Sequence, residues 1–289
     1  MSADQLFDSV EIKKFIADSL DEDLGSGDHS SLACIPADKR GTARILMKED
    51  GVLAGMELAK RILLTLDPDA SLEVFAKDGD RVSKGETMAL AEGSVRALLA
   101  GERLLLNCMQ RLSGIATITA KAVDLVHDLP VKLLDTRKTT PGLRMLEKWA
   151  VKTGGAYNHR FGLFDMIMLK DNHIDFAGGI EAAIERTLDY LSANRLSLGI
   201  EVETRNLSDV HRVLRYPEVQ RIMFDNFSPE MVTEGVQLVA GAMETEASGG
   251  INMQNLRAYG ETGVDFISLG LLTHSAKSLD ISMKTVVLS

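Results

Sequence analysis

The 289-residue sequence has only two cysteines, Cys34 and Cys108. They fit neither the spacing of a metal site nor a disulfide framework, so we expect two free thiols in a reducing compartment. Aromatic residues make up 5% of a chain that is 45% hydrophobic, which indicates an aliphatic core. No run reaches the roughly 18 apolar residues of a membrane helix, and the first residues have no apolar signal core. We therefore expect a cytoplasmic protein with no membrane partner.

Positive charge is also scarce. Thirty-two lysines and arginines stand against 42 acidic residues, which gives a formal net charge of −10. Proteins that bind nucleic acid usually have a basic surface, so no nucleic-acid partner is expected. Cations nevertheless gather in one stretch, residues 137–173, where their field would act locally on a small anion.

Two patterns divide the chain. Residues 4–22 have the apolar spacing of an amphipathic helix, and residues 41–93 alternate like the strands of a mainly antiparallel sheet. A long helical stretch begins at Ser94 and runs to about residue 128. We expect Ser113-Gly114 to bend or interrupt it, because glycine is flexible, and we place the domain boundary there.

The second half alternates strands with helices, which is typical of parallel βαβ units. The predicted strands are residues 131–135, 166–169, 198–203, 220–224, 244–247 and 265–269. The predicted helices are residues 142–152, 178–193, 206–215, 229–240 and 252–260. A closed or nearly closed α/β barrel is the first interpretation, and an open doubly wound sheet is the second. Residues 280–287 alternate like a strand that returns to the small sheet of the first half.

Side chains that bind or catalyse follow the predicted strands. Ligands bind at the carboxyl ends of parallel strands, so these side chains are expected to share one site. In chain order they are Thr136-Arg137-Lys138, Lys170, Glu201 with Glu203, Asp225, Ser248-Gly249-Gly250, Ser268-Leu269-Gly270 and, just beyond, His274. The pair His159-Arg160 lies between the first two strands and could converge on the same pocket. Such a basic pocket indicates an anion with several negative charges, either carboxylates or phosphates.

The later strand ends predict a phosphosugar. Ser248-Gly249-Gly250 directly before a helix would offer backbone N–H groups to a phosphate, and Gly270 on the next strand would let backbone approach it. Glu203 and Asp225 on neighbouring strands could hold Mg²⁺ or the hydroxyl groups of a ribose.

Several long motifs resemble those of the quinolinate phosphoribosyltransferase family, also called nicotinate-nucleotide pyrophosphorylase (carboxylating). The likeness runs from about Glu22 to Met283 and rests on residues 102–107, 111–117, 136–139, 158–163, 170–173, 248–250 and 263–268. It implies an N-terminal α/β sandwich of residues 1–114, joined by 275–289, and an incomplete, seven-stranded α/β barrel of residues 115–274. It also implies a homodimer, on which a larger assembly could be built.

The resemblance further implies a pentosyltransferase of de novo NAD biosynthesis that joins phosphoribosyl pyrophosphate to quinolinate, releasing pyrophosphate and CO2. The catalytic residues it implies are Lys138, Lys170, Glu203 and Asp225, the last two also as direct or water-mediated Mg²⁺ contacts. Arg137, His159 and Arg160 would face the carboxylates of quinolinate, and Arg103 would reach it from the partner subunit. The remaining substrate contacts it implies are Thr136, Ser248, Gly249, Gly250, Ser268, Leu269, Gly270 and His274.

Some alternatives remain open at the level of sequence. Glu201 competes with Glu203 as the contact to ribose or metal, and His173 and His274 are as readily structural as functional. The rival functions are a related transferase for nicotinate, a molybdenum-associated homologue of unknown substrate, and a phosphosugar-binding module without catalysis. The number of cations favours a dicarboxylate over a monocarboxylate.

Overall fold

The computed structural model describes residues 3–286, with side chains from residue 5 onward. Residues 1–2 and 287–289 of the predicted first domain, and hence the last residue of the predicted strand 280–287, lie outside this range. The chain divides into two units, Met1–Ile118 with Ala276–Ser289, and Thr119–Ser275. The first break falls at 118 where the sequence predicted 114, inside a helix that is continuous through both positions.

The first unit begins with three helices, after which strands predominate. Its helices are α1 (Ala3–Phe7), α2 (Val10–Leu24), α3 (His29–Cys34), α4 (Met56–Leu66) and α5 (Val95–Leu125), the last of which continues into the second unit. Its strands are β1 (Arg40–Met47), β2 (Gly51–Val52), β3 (Ser71–Val74), β4 (Arg81–Val82), β5 (Thr87–Ser94) and, from the end of the chain, β12 (Ile281–Val286).

The elements of the second unit follow the predicted strand–helix rhythm. Its strands are β6 (Lys132–Leu134), β7 (Ile167–Leu169), β8 (Ile200–Thr204), β9 (Arg221–Asp225), β10 (Glu244–Ser248) and β11 (Phe266–Ser268). Its helices are α6 (Arg144–Thr153), α7 (Asp171–Ala177), α8 (Ile180–Asn194), α9 (Leu207–Val213), α10 (Pro229–Val239), α11 (Leu256–Gly260) and α12 (Leu271–His274). None of the helices within residues 3–286 combines the length and hydropathy of a membrane-spanning helix.

An antiparallel sheet forms the first unit, with strand order β12-β1-β5-β3. The pairing of β12 with β1, from Thr42 opposite Val286 to Met47 opposite Ile281, confirms the predicted return of the chain end. Ala43, Ile45 and Met47 are buried at every second position, as a strand with one face against a core requires.

Two predictions about helices in this unit were wrong. The predicted helix 4–22 is two helices, because Ser9 caps α2 by accepting the N–H of Ile12 at 3.3 Å. Helix α5 is not interrupted at Ser113-Gly114. The Ser113 hydroxyl instead accepts the N–H of Ala54 at 2.9 Å, and a Cβ at position 114 would lie 2.1 Å from the carbonyl oxygen of Lys277. Glycine stands there because another segment passes close to the helix, not because the helix bends.

The second unit is a parallel sheet surrounded by helices, with strand order β6-β11-β10-β9-β8-β7. Within residues 3–286 the six strands do not close into a complete ring of ladders. The chain between β6 and β7 adds one isolated parallel bridge, Leu134 to Tyr157. The predicted incomplete α/β barrel is therefore confirmed, with six regular strands and the bridge at the seventh position. The parallel arrangement brings the carboxyl ends of all six strands to one edge.

Candidate active site

A cavity of about 560 Å³ opens at the carboxyl ends of the barrel strands. Twelve residues predicted for the site line it: Thr136, Arg137, Lys138, His159, Arg160, Lys170, Glu203, Asp225, Ser248, Gly249, Gly250 and Ser268. Met168, Met223 and Asn226 also line it and were not predicted. A signal for Met223 is present in the sequence, because it stands two residues before Asp225 on the same strand and so shares its face. Met168 stands two residues before Lys170, which directly follows its strand.

Two arginines bring positive charge to the cavity. Arg160 is 9% exposed, and its Nη1 donates to the carbonyl oxygen of Met166 at 3.2 Å. Burial lowers the pKa of Arg160, and the positive charge of Arg137 lowers it further. The Nε of Arg137 is buried and has no hydrogen-bond partner among the described residues. Two neighbouring cations, one with a buried unused donor, make this part of the cavity a site for an anion.

Glu203, rather than Glu201, reaches the cavity. Its Oε1 accepts a hydrogen bond from Lys170 Nζ at 2.6 Å, and its Oε2 accepts the N–H of Asp171 at 3.3 Å. Glu201 stands one inward-facing position deeper on β8 and is fully buried. Of the two, only Glu203 is placed to contact a ligand in the cavity, because a residue two positions earlier on the strand shares the face but not the depth.

A glycine loop follows β10. Gly249 and Gly250 have φ values of 91° and 66°, a region that favours glycine. A Cβ at position 249 would lie 2.3 Å from Oδ1 of Asn226, whereas a Cβ at 250 would meet nothing within 4 Å. The prediction that a helix starts directly after these glycines was wrong, because α11 begins only at Leu256 and has five residues. Any phosphate here would be bound by loop N–H groups, without the dipole of a long helix.

Asp225 and Asn226 link the glycine loop to the acidic side of the cavity. Asp225 ends β9 and its Oδ2 accepts a hydrogen bond from the Asn226 amide at 2.9 Å. Asn226 has a φ of 58°, and its N–H donates to the carbonyl oxygen of Ser248 at 2.8 Å. The two strand ends are thus fixed against each other.

The remaining predicted residues lie outside the lining of the cavity. Arg103 is exposed on α5, in the first unit. Leu269 is buried, and its N–H donates to the carbonyl oxygen of Leu134 at 2.9 Å. A Cβ at Gly270 would lie 2.9 Å from Cδ2 of His274 and 3.1 Å from Cδ of Lys138, so only glycine leaves room for these two side chains.

The two uncertain histidines have local partners. His173 Nδ1 accepts the N–H of Lys170 at 3.0 Å, at the start of α7. His274 is exposed, and its Nδ1 lies 2.6 Å from the hydroxyl of Ser275. The contact of His173 fixes the backbone of a residue in the cavity, which is a structural role.

His159 faces a layer of buried charge beneath the cavity. Its Nε2 lies 3.0 Å from Glu201 and 3.4 Å from Glu246, both fully buried, and its Nδ1 accepts the N–H of Arg160 at 2.7 Å. Burial opposes the charged imidazole, but the two carboxylates raise the pKa of His159 to about 9. Burial and the charge of Glu246 raise the pKa of Glu201 to about 7. Both ring nitrogens are directed at protein groups, so a hydrogen bond from His159 to a substrate would require the ring to turn.

The acidic side of the cavity has oxygen ligands of the kind that Mg²⁺ prefers, and Mg²⁺ usually keeps several waters when bound. Asp225 fits, since it lines the cavity and lies in a partly open position. Both oxygens of Glu203 already accept hydrogen bonds, so this residue suits a contact through water. The atoms of His159, Glu201 and Glu246 lie within 4.8 Å of one another, but Arg221 Nη1 is 2.9 Å from Glu246. That buried set suits a charge network better than an ion.

Comparison with known proteins places these features in a family. The sequence matches family models for the quinolinate phosphoribosyl transferase N-terminal domain over residues 28–113 and its C-terminal domain over residues 115–284. The quinolinate phosphoribosyltransferase (decarboxylating) 1b of Nicotiana tabacum is 45% identical, over 96% of this chain and 83% of that protein. The probable nicotinate-nucleotide pyrophosphorylase (carboxylating) of Bacillus subtilis is 45% identical, over 95% of this chain and 93% of that protein.

Solved structures show the same architecture. NadC from Streptococcus pyogenes superimposes with a TM-score of 0.90 and 39% sequence identity, covering 96% of this chain and 98% of that chain. The nicotinate-nucleotide pyrophosphorylase from Francisella tularensis has a TM-score of 0.87 and 34% identity, with 96% of both chains covered. The similarity therefore spans both units and includes the residues that line the cavity.

Proposed function

The chain belongs to the quinolinate phosphoribosyltransferase family, and we propose that it transfers the phosphoribosyl group of phosphoribosyl pyrophosphate to quinolinate with loss of CO2. The product is nicotinate mononucleotide, an intermediate of NAD biosynthesis, and the enzyme is a pentosyltransferase.

The observation that carries this proposal is the pair Arg137 and Arg160. Burial and the positive charge of Arg137 both disfavour the charged guanidinium of Arg160, and the nearby acids offset this only in part, since the pKa of Arg160 is still lowered. The unpartnered Nε of Arg137 adds a donor that the protein itself does not use. A ring with two neighbouring carboxylates supplies the two negative charges and the acceptors that these groups lack, and guanidinium groups bind carboxylates in a fixed planar geometry.

The opposite side of the cavity suits the phosphoribosyl pyrophosphate. Gly249 and Gly250 offer loop N–H groups to the 5-phosphate, and Lys138, which follows β6, lines the same cavity. Asp225 and Glu203 face the ribose, where they stabilise the positive charge that develops as pyrophosphate leaves. Lys170, held by Glu203, lies between the two substrates.

Mg²⁺ belongs to the proposal as a cofactor, with Asp225 as a ligand and Glu203 as a contact through water. When bound, it neutralises negative charge on the leaving pyrophosphate. The residues of this chain supply the rest of the charge balance, since Lys138 and Lys170 face the same anion.

The reaction needs no nucleophilic side chain. The bond between the anomeric carbon and pyrophosphate breaks, and the ring nitrogen of quinolinate forms the new bond to that carbon. The carboxylate next to the nitrogen then leaves as CO2, and the electron pair left on the ring carbon takes up a proton. The cationic ring nitrogen stabilises that electron pair. The protein therefore has to bind the two substrates, orient them and neutralise their negative charges.

The enzyme is a homodimer in this proposal, in which the partner subunit's Arg103 completes the quinolinate site. A cytoplasmic location is part of the same proposal. Mixing the Arg103→Ala and Lys138→Ala proteins, assayed at a quinolinate concentration far below the KM of either variant, tests the shared site, because a hybrid dimer contains one site with both native residues. Random exchange would restore about a quarter of the wild-type activity. No recovery after proven subunit exchange would contradict the shared site.

The function is tested by incubating the protein with quinolinate, phosphoribosyl pyrophosphate and Mg²⁺. Nicotinate mononucleotide, pyrophosphate and CO2 are expected in equal amounts. Carbon dioxide without the nucleotide, or no product from quinolinate at all, would contradict the proposal.

A further inference from the structure

A buried ion pair, Asp135 with Lys148, lies outside the residues that line the cavity. The Asp135 side chain is 0% exposed and the Lys148 side chain is 3% exposed. Asp135 directly follows β6, and Lys148 lies on α6. The pair therefore joins a strand end to a helix at a buried point outside the cavity lining.

The ion pair binds both backbone polar groups of His159. The N–H of His159 donates to Asp135 Oδ1 at 2.8 Å, and Lys148 Nζ donates to the carbonyl oxygen of His159 at 3.0 Å as well as to Asp135 Oδ1. The side-chain amide of Asn158 donates to Asp135 Oδ2 at 2.6 Å and to the carbonyl oxygen of Lys148 at 2.9 Å. Four hydrogen bonds thus fix two consecutive residues, Asn158 and His159, and a fifth joins Lys148 to Asp135.

These bonds replace those of a strand. Within the described part of the chain, the segment between β6 and β7 pairs with β6 through the single bridge at Tyr157, and β7 begins only at Ile167. Residues 158–160 consequently have no regular ladder to set their backbone, although they carry His159 and Arg160 into the cavity. The carboxylate and ammonium groups supply the missing acceptor and donor.

The same face of α6 also contacts the segment that carries Arg137. Arg144 stands one turn before Lys148 and donates to the Thr139 hydroxyl at 3.1 Å. It also donates to the carbonyl oxygens of Phe161 at 3.1 Å and Arg137 at 3.4 Å. One helix face therefore contacts the segments of both cavity arginines and sets the spacing between them.

Stability alone does not explain a buried ion pair here. Burial raises the pKa of Asp135 and lowers the pKa of Lys148, in each case against the attraction of the partner charge. Buried pairs often stabilise a fold no better than apolar residues of the same size, and their clearest use is to select one geometry.

We propose that Asp135, Lys148 and Asn158 are positioning residues that fix the backbone of His159 and Arg160, so that the Arg160 guanidinium meets a dicarboxylate substrate in one geometry. This inference rests on the proposed function, since it names what the quinolinate side of the site requires. The phosphate-binding side of the cavity is formed by β9, β10 and the loops that follow them. The side-chain hydrogen bonds given above for Asp135, Lys148 and Asn158 do not reach these elements.

Two variants test the proposal by steady-state kinetics. Lys148→Met removes two of the bonds but leaves the buried charge of Asp135, so it can fail to fold. Asn158→Ala removes a neutral donor and keeps the ion pair. We expect Asn158→Ala to raise KM for quinolinate about tenfold, because the displaced Arg160 loses about one charge-assisted hydrogen bond to the substrate carboxylate. KM for phosphoribosyl pyrophosphate should stay within about twofold of the wild-type value.

The matched control is Asp265→Ala, at the amino ends of the barrel strands. Asp265 accepts the N–H and the hydroxyl of Thr245 at 2.8 and 2.7 Å, so its loss destabilises the same unit away from the cavity. Its Tm is expected to fall while both KM values stay at the wild-type level.

The outcomes separate the two claims. Wild-type protein that forms no nicotinate mononucleotide overturns the proposed function and this inference with it. An active wild type, with a folded Asn158→Ala variant whose KM for quinolinate is unchanged, overturns the inference alone. Equal increases of both KM values in Asn158→Ala would likewise overturn it, because they indicate a general loss of structure.

Discussion

Substituting Gly249 by alanine places a methyl group where the structure has no room. The added Cβ would lie 2.3 Å from Oδ1 and 2.7 Å from Cγ of Asn226, and 3.0 Å from its backbone nitrogen. The side chain of Asn226 would have to turn away and lose its 2.9 Å hydrogen bond to Asp225. Gly250→Ala is the matched control, because its φ of 66° is also left-handed but its Cβ would meet nothing within 4 Å.

The expected rise in KM for phosphoribosyl pyrophosphate has two contributions, backbone strain and a lost hydrogen bond. A left-handed backbone costs alanine about 1–2 kcal/mol more than glycine, and this applies to both variants. Loss of the Asn226–Asp225 hydrogen bond adds about 1 kcal/mol in Gly249→Ala alone. If the loop relaxes in the free protein, binding must restore the strained geometry. KM for phosphoribosyl pyrophosphate should then rise roughly 30- to 150-fold in Gly249→Ala and about fivefold less in Gly250→Ala.

The assay is the rate of nicotinate mononucleotide formation at saturating quinolinate, with phosphoribosyl pyrophosphate varied. KM for quinolinate should stay within about twofold in both variants, because the dicarboxylate lies against other strands. Equal KM values for phosphoribosyl pyrophosphate in Gly249→Ala and wild type would refute the reasoning. So would a larger effect in Gly250→Ala, since steric contact with Asn226 would then not be the cause.

Three further predictions concern charged groups. Arg137→Ala, and Arg103→Ala if the dimer is as proposed, should each raise KM for quinolinate by at least about tenfold; an unchanged value would remove that arginine from the site. Glu203→Gln should lower kcat about 10- to 100-fold, because a charge facing the developing cation is lost; wild-type kcat would exclude this role. Glu181→Gln should reduce the free energy of unfolding at pH 7, measured with urea, by about 1 kcal/mol after allowance for solvent screening. Its hydrogen bond to Arg212 lowers the pKa of Glu181 from 4.5 to about 2, so the difference from wild type should be full above pH 4.5 and vanish as the pH falls toward 2; a constant difference would contradict this assignment.

The barrel could be predicted because its strands are buried on both faces. Short apolar runs that end abruptly in polar residues, such as the run ending at Leu169 before Lys170, mark both the strand and its carboxyl end. Once the strands are parallel, their ends must meet, and ten of the twelve predicted residues in the cavity follow from that geometric fact; His159 and Arg160 follow no predicted strand.

Depth and direction within the site could not be predicted. Glu201 and Glu203 have the same periodicity, and only the stagger of neighbouring strands decides which one reaches the cavity. The orientation of His159 depends on Glu201 and Glu246, which are distant in the chain. Similarly, the sequence after Gly250 suggested a helix, but Asn255 accepts the N–H of Asn252 and donates to the carbonyl oxygen of Gly250, which holds a turn in its place.

The positioning residues were missed for a related reason. Asp135 and Lys148 have the residue types of an ordinary surface pair, and only the structure shows that both are buried. Their role arises because the chain at the seventh barrel position is a single bridge, which a sequence pattern does not reveal.

The central claim is that the pair Arg137 and Arg160 selects a dianion, and kcat/KM for quinolinate against nicotinate tests it most directly. Quinolinate has one carboxylate more. Glu201, Asp165 and Glu203 offset the effects of burial and of Arg137 on Arg160 only in part, since its pKa is still lowered, and the Nε of Arg137 has no partner within the described residues. The structure predicts that kcat/KM is at least about 100-fold higher for quinolinate than for nicotinate. This ratio corresponds to the free energy of one buried, charge-assisted contact between an arginine and a carboxylate. Equal or faster turnover of nicotinate would contradict the account.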